Sequence, residues 1–412
     1  MATPYAALKF RDFRFLLAGR FASAFGAQML TLAVAWELWT RTHSAFALGL
    51  IGLSVVLPVL SFSLPAGVFV DRHNRRWVVL FAQLAQAAGG FALAALSAWN
   101  GPLVGVYAVL AFLGLARAFN DPASAALVAL VVPKENFTNA ATWNSSAFQT
   151  ASIAGPAAAG LLIGWWGSVT GIYFAAGLLS LINLGCAALI RARQSKPVPK
   201  AASWESLKEG VRFIRANKII LSAITLDLFA VLLGGAVALL PIYATNILKV
   251  GAWGLGIMRS ASSLGALTMA LVIAHRPPFR RAGKTLLASV AGFGLATIVF
   301  GFSPWFPLSV AMLFLLGALD NVSVVIRGTL MLTQVPDEMR GRTSSVNTIF
   351  ISSSNELGDF ESGILAGLVG PVAAVVAGGV GTLAVVAAVR KVWPQLLKLE
   401  SLDKKNTSEN LT

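Results

Sequence analysis

Several ionisable side chains lie inside stretches of this chain that are otherwise apolar, among them Glu37, Arg117, Asp121, Asp227, Arg259, Asp320, Arg327, Glu356, Asp359 and Glu361. An ionisable residue within a membrane-spanning helix costs ~3 kcal/mol on insertion scales, so such residues mark function by default. The chemistry open to them is proton binding and release. Desolvation raises the proton affinity of a carboxylate and a nearby arginine lowers it, so a helix movement that changes either changes protonation. Arg117 and Asp121 are four apart and share a helix face. Asp320 and Arg327 are two helical turns apart. The proton carrier is expected at Asp320, then Asp227, then Glu356, with Arg117, Arg327 and Asp121 as charge partners. The competing reading is a permanently ionised structural pair, such as Asp320 with Arg327.

Membrane helices must hold these residues. The chain has 412 residues, 57% hydrophobic and only 12% charged, with a mean hydropathy of +0.75. A soluble domain carries about 25% charged residues, so most of this surface faces something apolar. A spanning helix needs ~20 mostly apolar residues. Twelve such spans are expected, near 15–39, 46–70, 77–98, 102–131, 139–164, 168–190, 219–245, 252–274, 285–303, 306–333, 343–367 and 370–390. The apolar run from Phe15 to Trp39 is far longer than a signal-peptide core and is expected to remain as the first span.

The net charge of +15 falls in the gaps between apolar runs. A nucleic-acid binder would gather it on one soluble face, so no nucleic-acid partner is expected. Alternate loops hold Arg72, Arg75, Arg76, Lys134, Arg191, Arg193, Arg276, Arg280, Arg281, Arg340 and Arg342, whereas the other set holds only Arg41 and Lys249. That bias places both termini in the cytoplasm. The single cysteine, Cys186, excludes an internal disulfide and a cysteine-based zinc site. His43, His73 and His275 sit in unrelated loops, so no metal site is expected.

Residues 1–190 read as one six-helix bundle, 191–218 as a cytoplasmic linker, 219–392 as a second bundle and 393–412 as a cytoplasmic tail. The linker opens with Pro197 and Pro199 and closes with Trp204, Leu207, Val211 and Ile214 on one helical face. An amphipathic helix on the membrane surface is expected there; a soluble helix packed on the bundle is the alternative. The bundles match each other at a shift of 203 positions: Leu113-Gly114 falls on Leu316-Gly317, Val132-Pro133 on Val335-Pro336, Glu135 on Glu338 and Asn144 on Asn347. Gly155, Gly160 and Gly164 fall on Gly358, Gly363 and Gly367, and Arg117 falls on Asp320. This is a parallel repeat, an arrangement that places a substrate near the bilayer midplane between repeats.

The loop after the second span reads Gly67-Val-Phe-Val-Asp71-Arg72-His-Asn-Arg75-Arg76. With the repeat and the topology, it resembles the loop signature of the major facilitator superfamily. The resemblance covers nearly the whole chain and implies an all-α membrane protein of twelve transmembrane helices in two pseudo-symmetric six-helix bundles. Gly67 suits close helix packing, Asp71 suits the positive N-terminal end of a neighbouring helix, and Arg72, Arg75 and Arg76 suit carboxylates or lipid phosphates. The loop reads as a conformational latch, or else as a topology signal only. Gly155, Pro156 and Gly160 in the fifth span are similar to the glycine–proline motif of drug:proton antiporters. Val335 to Arg342 followed by Ser354 to Phe360 resembles the drug:proton antiporter-3 group, which includes macrolide efflux pumps and the enterobactin exporter. In that family the arginine of the fourth span is associated with proton coupling, a role the resemblance carries onto Arg117. The sequence departs from the family at Ala129-Leu-Val-Val132, where an acid is common. Asp359 stands where the repeat has Pro156 and reads equally as a packing substitute.

Gly283-Lys284-Thr285 lacks the earlier glycine of a phosphate loop, since Pro278 stands there, so ATP-driven pumping is unsupported. No catalytic motif is present and the chain is not expected to be an enzyme; it needs no cofactor. The reading is a proton-coupled exporter of an amphipathic small molecule, resident in a bacterial inner membrane, in contact with lipid and monomeric. The rivals are a proton-independent facilitator or lysophospholipid transporter, and a non-transporting membrane sensor or scaffold.

Overall fold

The computed structural model describes residues 5–191, 204–277 and 279–399. The proline-rich part of the linker, Pro278 and the tail with Asn406-Thr407-Ser408 lie outside the described residues. The described residues form thirteen long helices and no strand. The first six are α1 (Arg11–Thr42), α2 (Ala45–Arg72), α3 (Arg75–Ala98), α4 (Leu103–Val131), α5 (Phe137–Trp166) and α6 (Thr170–Leu189). The linker helix is α7 (Trp204–Ala216). There follow α8 (Lys218–Leu233), α9 (Gly251–Ala274), α10 (Ala282–Phe302), α11 (Phe306–Gln334), α12 (Asp337–Val369) and α13 (Pro371–Val392).

Local chemistry sets the helix ends. The Asn74 side chain accepts from the Arg76 N–H at 3.0 Å and opens α3; Asn217 accepts from Ile219 and Ile220 at 3.2 Å and opens α8. These caps satisfy amides the helix leaves unpaired. Gly167, at φ +68°, closes α5 in the left-handed conformation glycine favours.

Among the described residues, eleven segments are long and apolar enough to cross a membrane. The helix missing from that set is α12, which is long enough but carries Arg340, Arg342, Glu356, Asp359 and Glu361. It begins at Asp337, earlier than its hydropathy predicts, because its first two turns are polar.

The chain forms two compact units. One comprises Met1–His43, Leu53–Ala202 and Gly251–Ser260; the other comprises Ser44–Gly52, Ser203–Val250 and Ala261–Thr412. In the first, α1 packs on α5 and α6, and α3 packs on α4 and α6. Phe13, Leu16, Val79, Leu127 and Ile190 are buried together at the end carrying the basic loops. A short turn, Ala7–Lys9, closes that end, and the Ala7 N–H donates to Asn139 Oδ1 at 2.9 Å. In the second unit, α10 packs on α11 and α13, and α8 packs on α12 and α13. Leu226, Leu286, Ile326, Leu330 and Leu396 form its core, with Leu396 contributed by a turn after the last span, Pro394–Lys398.

The linker helix α7 departs from the membrane-surface expectation. Ile214 is buried with Ile220, Ile224, Val335 and Val346. Gly210 lies against the Arg342 carbonyl, and Glu209 forms an ion pair with Arg342 at 2.5 Å. Val211 and Ile214 complete a protein core, which covers them as lipid would. This docking obeys the 203-position repeat: Gly210 and Arg342 match Ala7 and Asn139, which meet in the first unit.

Span 7 is interrupted. α8 stops at Leu233, Gly234 and Gly235 follow, and the helix resumes through Ala236–Leu239, Leu240–Ile242 and a wide turn, Tyr243–Ile247. The two glycines weaken the helix, and Pro241 lacks the N–H an unbroken helix would use. Side chains at Gly235 and Gly358 would crowd the α8–α12 crossing, at Ser362 Oγ and the Leu232 carbonyl respectively.

Candidate functional site

In the second unit, α8 and α11 bring Asp227 and Arg327 into an ion pair whose side chains are 7% and 5% exposed. Ser323, one turn before Arg327, donates its hydroxyl to Asp227 Oδ1 at 3.2 Å. Arg327 therefore pairs with Asp227 across helices, and not with Asp320. Seven residues of helix separate Asp320 from Arg327 by about 10 Å along the axis, whereas α8 sets Asp227 directly opposite. Asp320 sits at the middle of α11 and is partly buried. Among the described residues it has neither a hydrogen bond nor an ion pair.

The other acids of this unit lie on α12. Glu361 accepts from Ser362 Oγ at 3.4 Å, and Glu356 is partly buried and partnered. The α12 backbone at Glu356 and the Cβ of Asp359 lie against Gly52, so Asp359 occupies a helix crossing, as its alignment with Pro156 implies.

The first unit is arranged differently. Arg117 Nε meets Asp121 Oδ2 at 3.3 Å on one face of α4, with the side chains 55% and 62% exposed. Arg117 thus pairs along its own helix. The sequence reading missed Arg20, which projects from α1 within electrostatic reach of Asp121. It also missed an amide network below these charges. Gln83, fully buried, donates to Asn120 Oδ1 at 3.0 Å and accepts from Ser23 Oγ at 3.2 Å. Ser124 also donates to Asn120, at 3.3 Å, and Ser23 reaches Gln86 Oε1 at 3.3 Å. The repeat relates the two units here, since Asn120 and Ser124 match Ser323 and Arg327. One unit builds the junction from neutral amides, the other from a buried ion pair. At the far end of α1, Glu37 accepts from the buried Tyr173 hydroxyl at 2.7 Å and pairs with Arg41 at 3.2 Å. That network ties α1 to α6 and gives Glu37 a structural role. Among the described residues no group of three or more histidines, cysteines or carboxylates is placed to hold a metal ion.

A family profile, the Major Facilitator Superfamily, matches residues 16–358. This chain belongs to that superfamily. The enterobactin exporters EntS of Shigella boydii serotype 4 (strain Sb227) and Escherichia coli O1:K1 / APEC are each 28% identical to this major facilitator over 375 residues, 90% of it and 89% of the relative. Solved structures share the fold. A bacterial homologue of the human lysosomal transporter Spinster superposes with a TM-score of 0.74 at 13% identity, over 96% of this chain and 99% of that one. The POT family transporter PepTSo gives 0.74 at 13% identity, over 95% and 99%. The chain is accordingly a multi-pass membrane transporter of the twelve-helix major facilitator fold, and not an enzyme.

The signature residues of this major facilitator take the following positions. Asp71, partly buried, and Arg72, exposed, end α2, and Arg75 opens α3. Arg76 donates from Nε to the Ala187 carbonyl at 3.1 Å and from Nη2 to that of Ala188. It neutralises the carbonyl end of α6, a placement the helix dipole favours for a cation, so its partners are carbonyls and not carboxylates. The expectation that Gly67 serves close packing is not met: a Cβ there would meet nothing within 4 Å. Gly155 and Gly160 do serve it. A Cβ at Gly155 would lie 2.7 Å from Gln28 Cβ on α1, and one at Gly160 would lie 2.6 Å from the Ala252 carbonyl on α9. Pro156 is buried between them, and Ser260 donates to the Ile153 carbonyl at 2.6 Å.

Proposed function

We propose that this transporter exports an amphipathic small molecule of siderophore or drug type from the cytoplasm in exchange for protons, with Asp320 as the proton carrier. The observation that carries the reading is the division of charge on α11: Arg327 is held by Asp227, and among the described residues Asp320 is left without a counter-ion. An ionised carboxylate in that setting costs several kcal/mol. Either a proton or the hydrogen-bond donors of a bound ligand relieve that cost, so the carrier reorients in one of two loaded forms, and this alternation is antiport. Asp227 and Arg327 act as the fixed scaffold beside it. Glu356 is the secondary carrier, and Arg117 and Asp121 supply charge in the first unit.

The substrate class is supported by the 28% identity to enterobactin exporters across 90% of the chain. The basic loops support cytoplasmic termini in a bacterial inner membrane, with the protein working as a monomer. Gly155, Pro156 and Gly160 serve as the helix-crossing motif of the antiporter. Asp71, Arg72 and Arg75 serve as the latch around the Arg76 anchor, with Gly67 leaving room for it.

Transport into everted vesicles with an acid interior tests this. Enterobactin, a macrolide and lysophosphatidylcholine are offered in turn, with and without a protonophore. Uptake of enterobactin or the macrolide that falls at least tenfold on collapse of the gradient supports exchange. Equal uptake in both conditions replaces it with a facilitator.

A further inference from the structure

The first unit contains more cationic donors than the protein satisfies. Arg20 is partly buried in α1, and among the described residues its guanidinium has no hydrogen-bond acceptor. Arg117 engages Asp121 through Nε alone, which leaves both terminal nitrogens without a partner among the described residues. Asp121 is the single carboxylate that both arginines share, so the group carries a net charge of one positive unit. Gln86 adds to it: its carbonyl accepts from Ser23, and its amide nitrogen has no protein acceptor among the described residues.

Depth and exposure say what these donors face. Arg20 lies nine residues inside the start of α1, and Asp121 and Arg117 lie ten and fourteen residues before the end of α4. At 1.5 Å per residue they sit about 14, 15 and 21 Å in from the basic-loop ends of their helices. An ion pair more than half exposed at that depth cannot face lipid at acceptable cost, so it faces water. Ser23 lies three residues after Arg20 and shares its face of α1. Through Ser23, Gln83, Asn120 and Ser124 the charged group rests on a buried amide floor. A guanidinium offers paired N–H donors that fit two adjacent oxygens of an anion.

We infer that Arg20 and Arg117, poised by Asp121, form a binding subsite for an anionic, oxygen-rich group of the transported molecule, a carboxylate or a phenolate. Asp121 meets Arg117 at Nε and lies within electrostatic reach of Arg20, so it is the competitor the ligand's anion displaces. The inference rests on the exporter reading for its cargo, but the subsite needs no proton movement to fill.

The test is equilibrium binding to the full-length protein in detergent at pH 7.5, without a gradient. The probes are 2,3-dihydroxybenzoate and its neutral amide, 2,3-dihydroxybenzamide. The acid is expected to bind at least tenfold more tightly than the amide. Arg20→Gln and Arg117→Gln are each expected to weaken the acid at least tenfold while leaving amide affinity and thermal unfolding unchanged. Asp121→Asn is expected to tighten the acid severalfold, which a merely structural role for Asp121 would not produce. Equal affinity for both probes, no saturable binding of the acid, or an acid affinity unaltered in both arginine variants would overturn the inference. Asp320→Asn separates it from the exchange reading: acid binding persists there if the subsite is real, whatever becomes of proton coupling.

Discussion

Asp227 and Asp320 are both acids in the membrane, but their surroundings predict opposite consequences of the same substitution. Asp227→Asn strands the buried Arg327 without a counter-ion. Breaking one side of a buried pair costs about 3–5 kcal/mol, whereas replacing both partners with apolar groups of similar size is often neutral. Asp227→Asn is therefore expected to lower the unfolding midpoint in detergent sharply. The double variant Asp227→Leu with Arg327→Met is expected to recover most of that loss. Asp320→Asn, which breaks no contact among the described residues, leaves the midpoint where it was. The sequence located these acids but not their partners. Periodicity along α11 put Asp320 and Arg327 on one helix, but it carries no information about which residue of α8 lies across from Arg327. Arg20 escaped notice for a different reason: it falls five residues into the first apolar run and reads as part of the interface. Only the approach of α4 to α1 makes it a neighbour of Asp121.

Helices meet here through small residues, and the crossings predict which glycines tolerate a methyl group. A Cβ on Gly317 would overlap the Ser262 carbonyl where α11 crosses α9, while one on Gly328, further along α11, would meet nothing within 4 Å. Gly317→Ala is expected to cost about 1–3 kcal/mol, in the range of overpacked cores, and Gly328→Ala to leave the unfolding midpoint unchanged. The turn after the last span makes a related prediction. Gly283 donates its N–H to the Leu399 carbonyl at 3.2 Å, and a Cβ on it would overlap the Leu396 carbonyl. Gly283→Ala is expected to detach that turn, read as faster proteolysis after residue 393 in everted vesicles. Most of the helices were legible as apolar runs of spanning length. Three features were not. The break in α8 was signalled only by Gly234, Gly235 and Pro241, which are unremarkable one at a time. The polar start of α12 lowered its hydropathy and delayed its expected beginning. The amphipathic face of α7 was correctly placed in sequence, but a stripe of Val211 and Ile214 reads alike whether lipid or protein covers it.

At the scale of the molecule, the distribution of arginine and lysine predicts the orientation, and labelling checks it. In a Cys186→Ala background, Trp305→Cys is expected to react with a membrane-impermeant maleimide on intact cells. Arg280→Cys is expected to react only after permeabilisation. Both positions are well exposed, so the reverse pattern would invert the topology and with it the direction of transport. The proposed exchange depends on the division of charge on α11 that makes Asp320 the proton carrier. The measurement that tests it most directly is ligand-driven proton release, followed with a pH dye in everted vesicles of acid interior. The unaltered protein, Asp320→Asn and the Asp227→Leu with Arg327→Met double variant are compared, with enterobactin added to each. Interior alkalinisation is expected on addition of ligand to the unaltered protein, with release retained in the double variant and none in Asp320→Asn. Full release from Asp320→Asn, with ligand uptake intact, would contradict it.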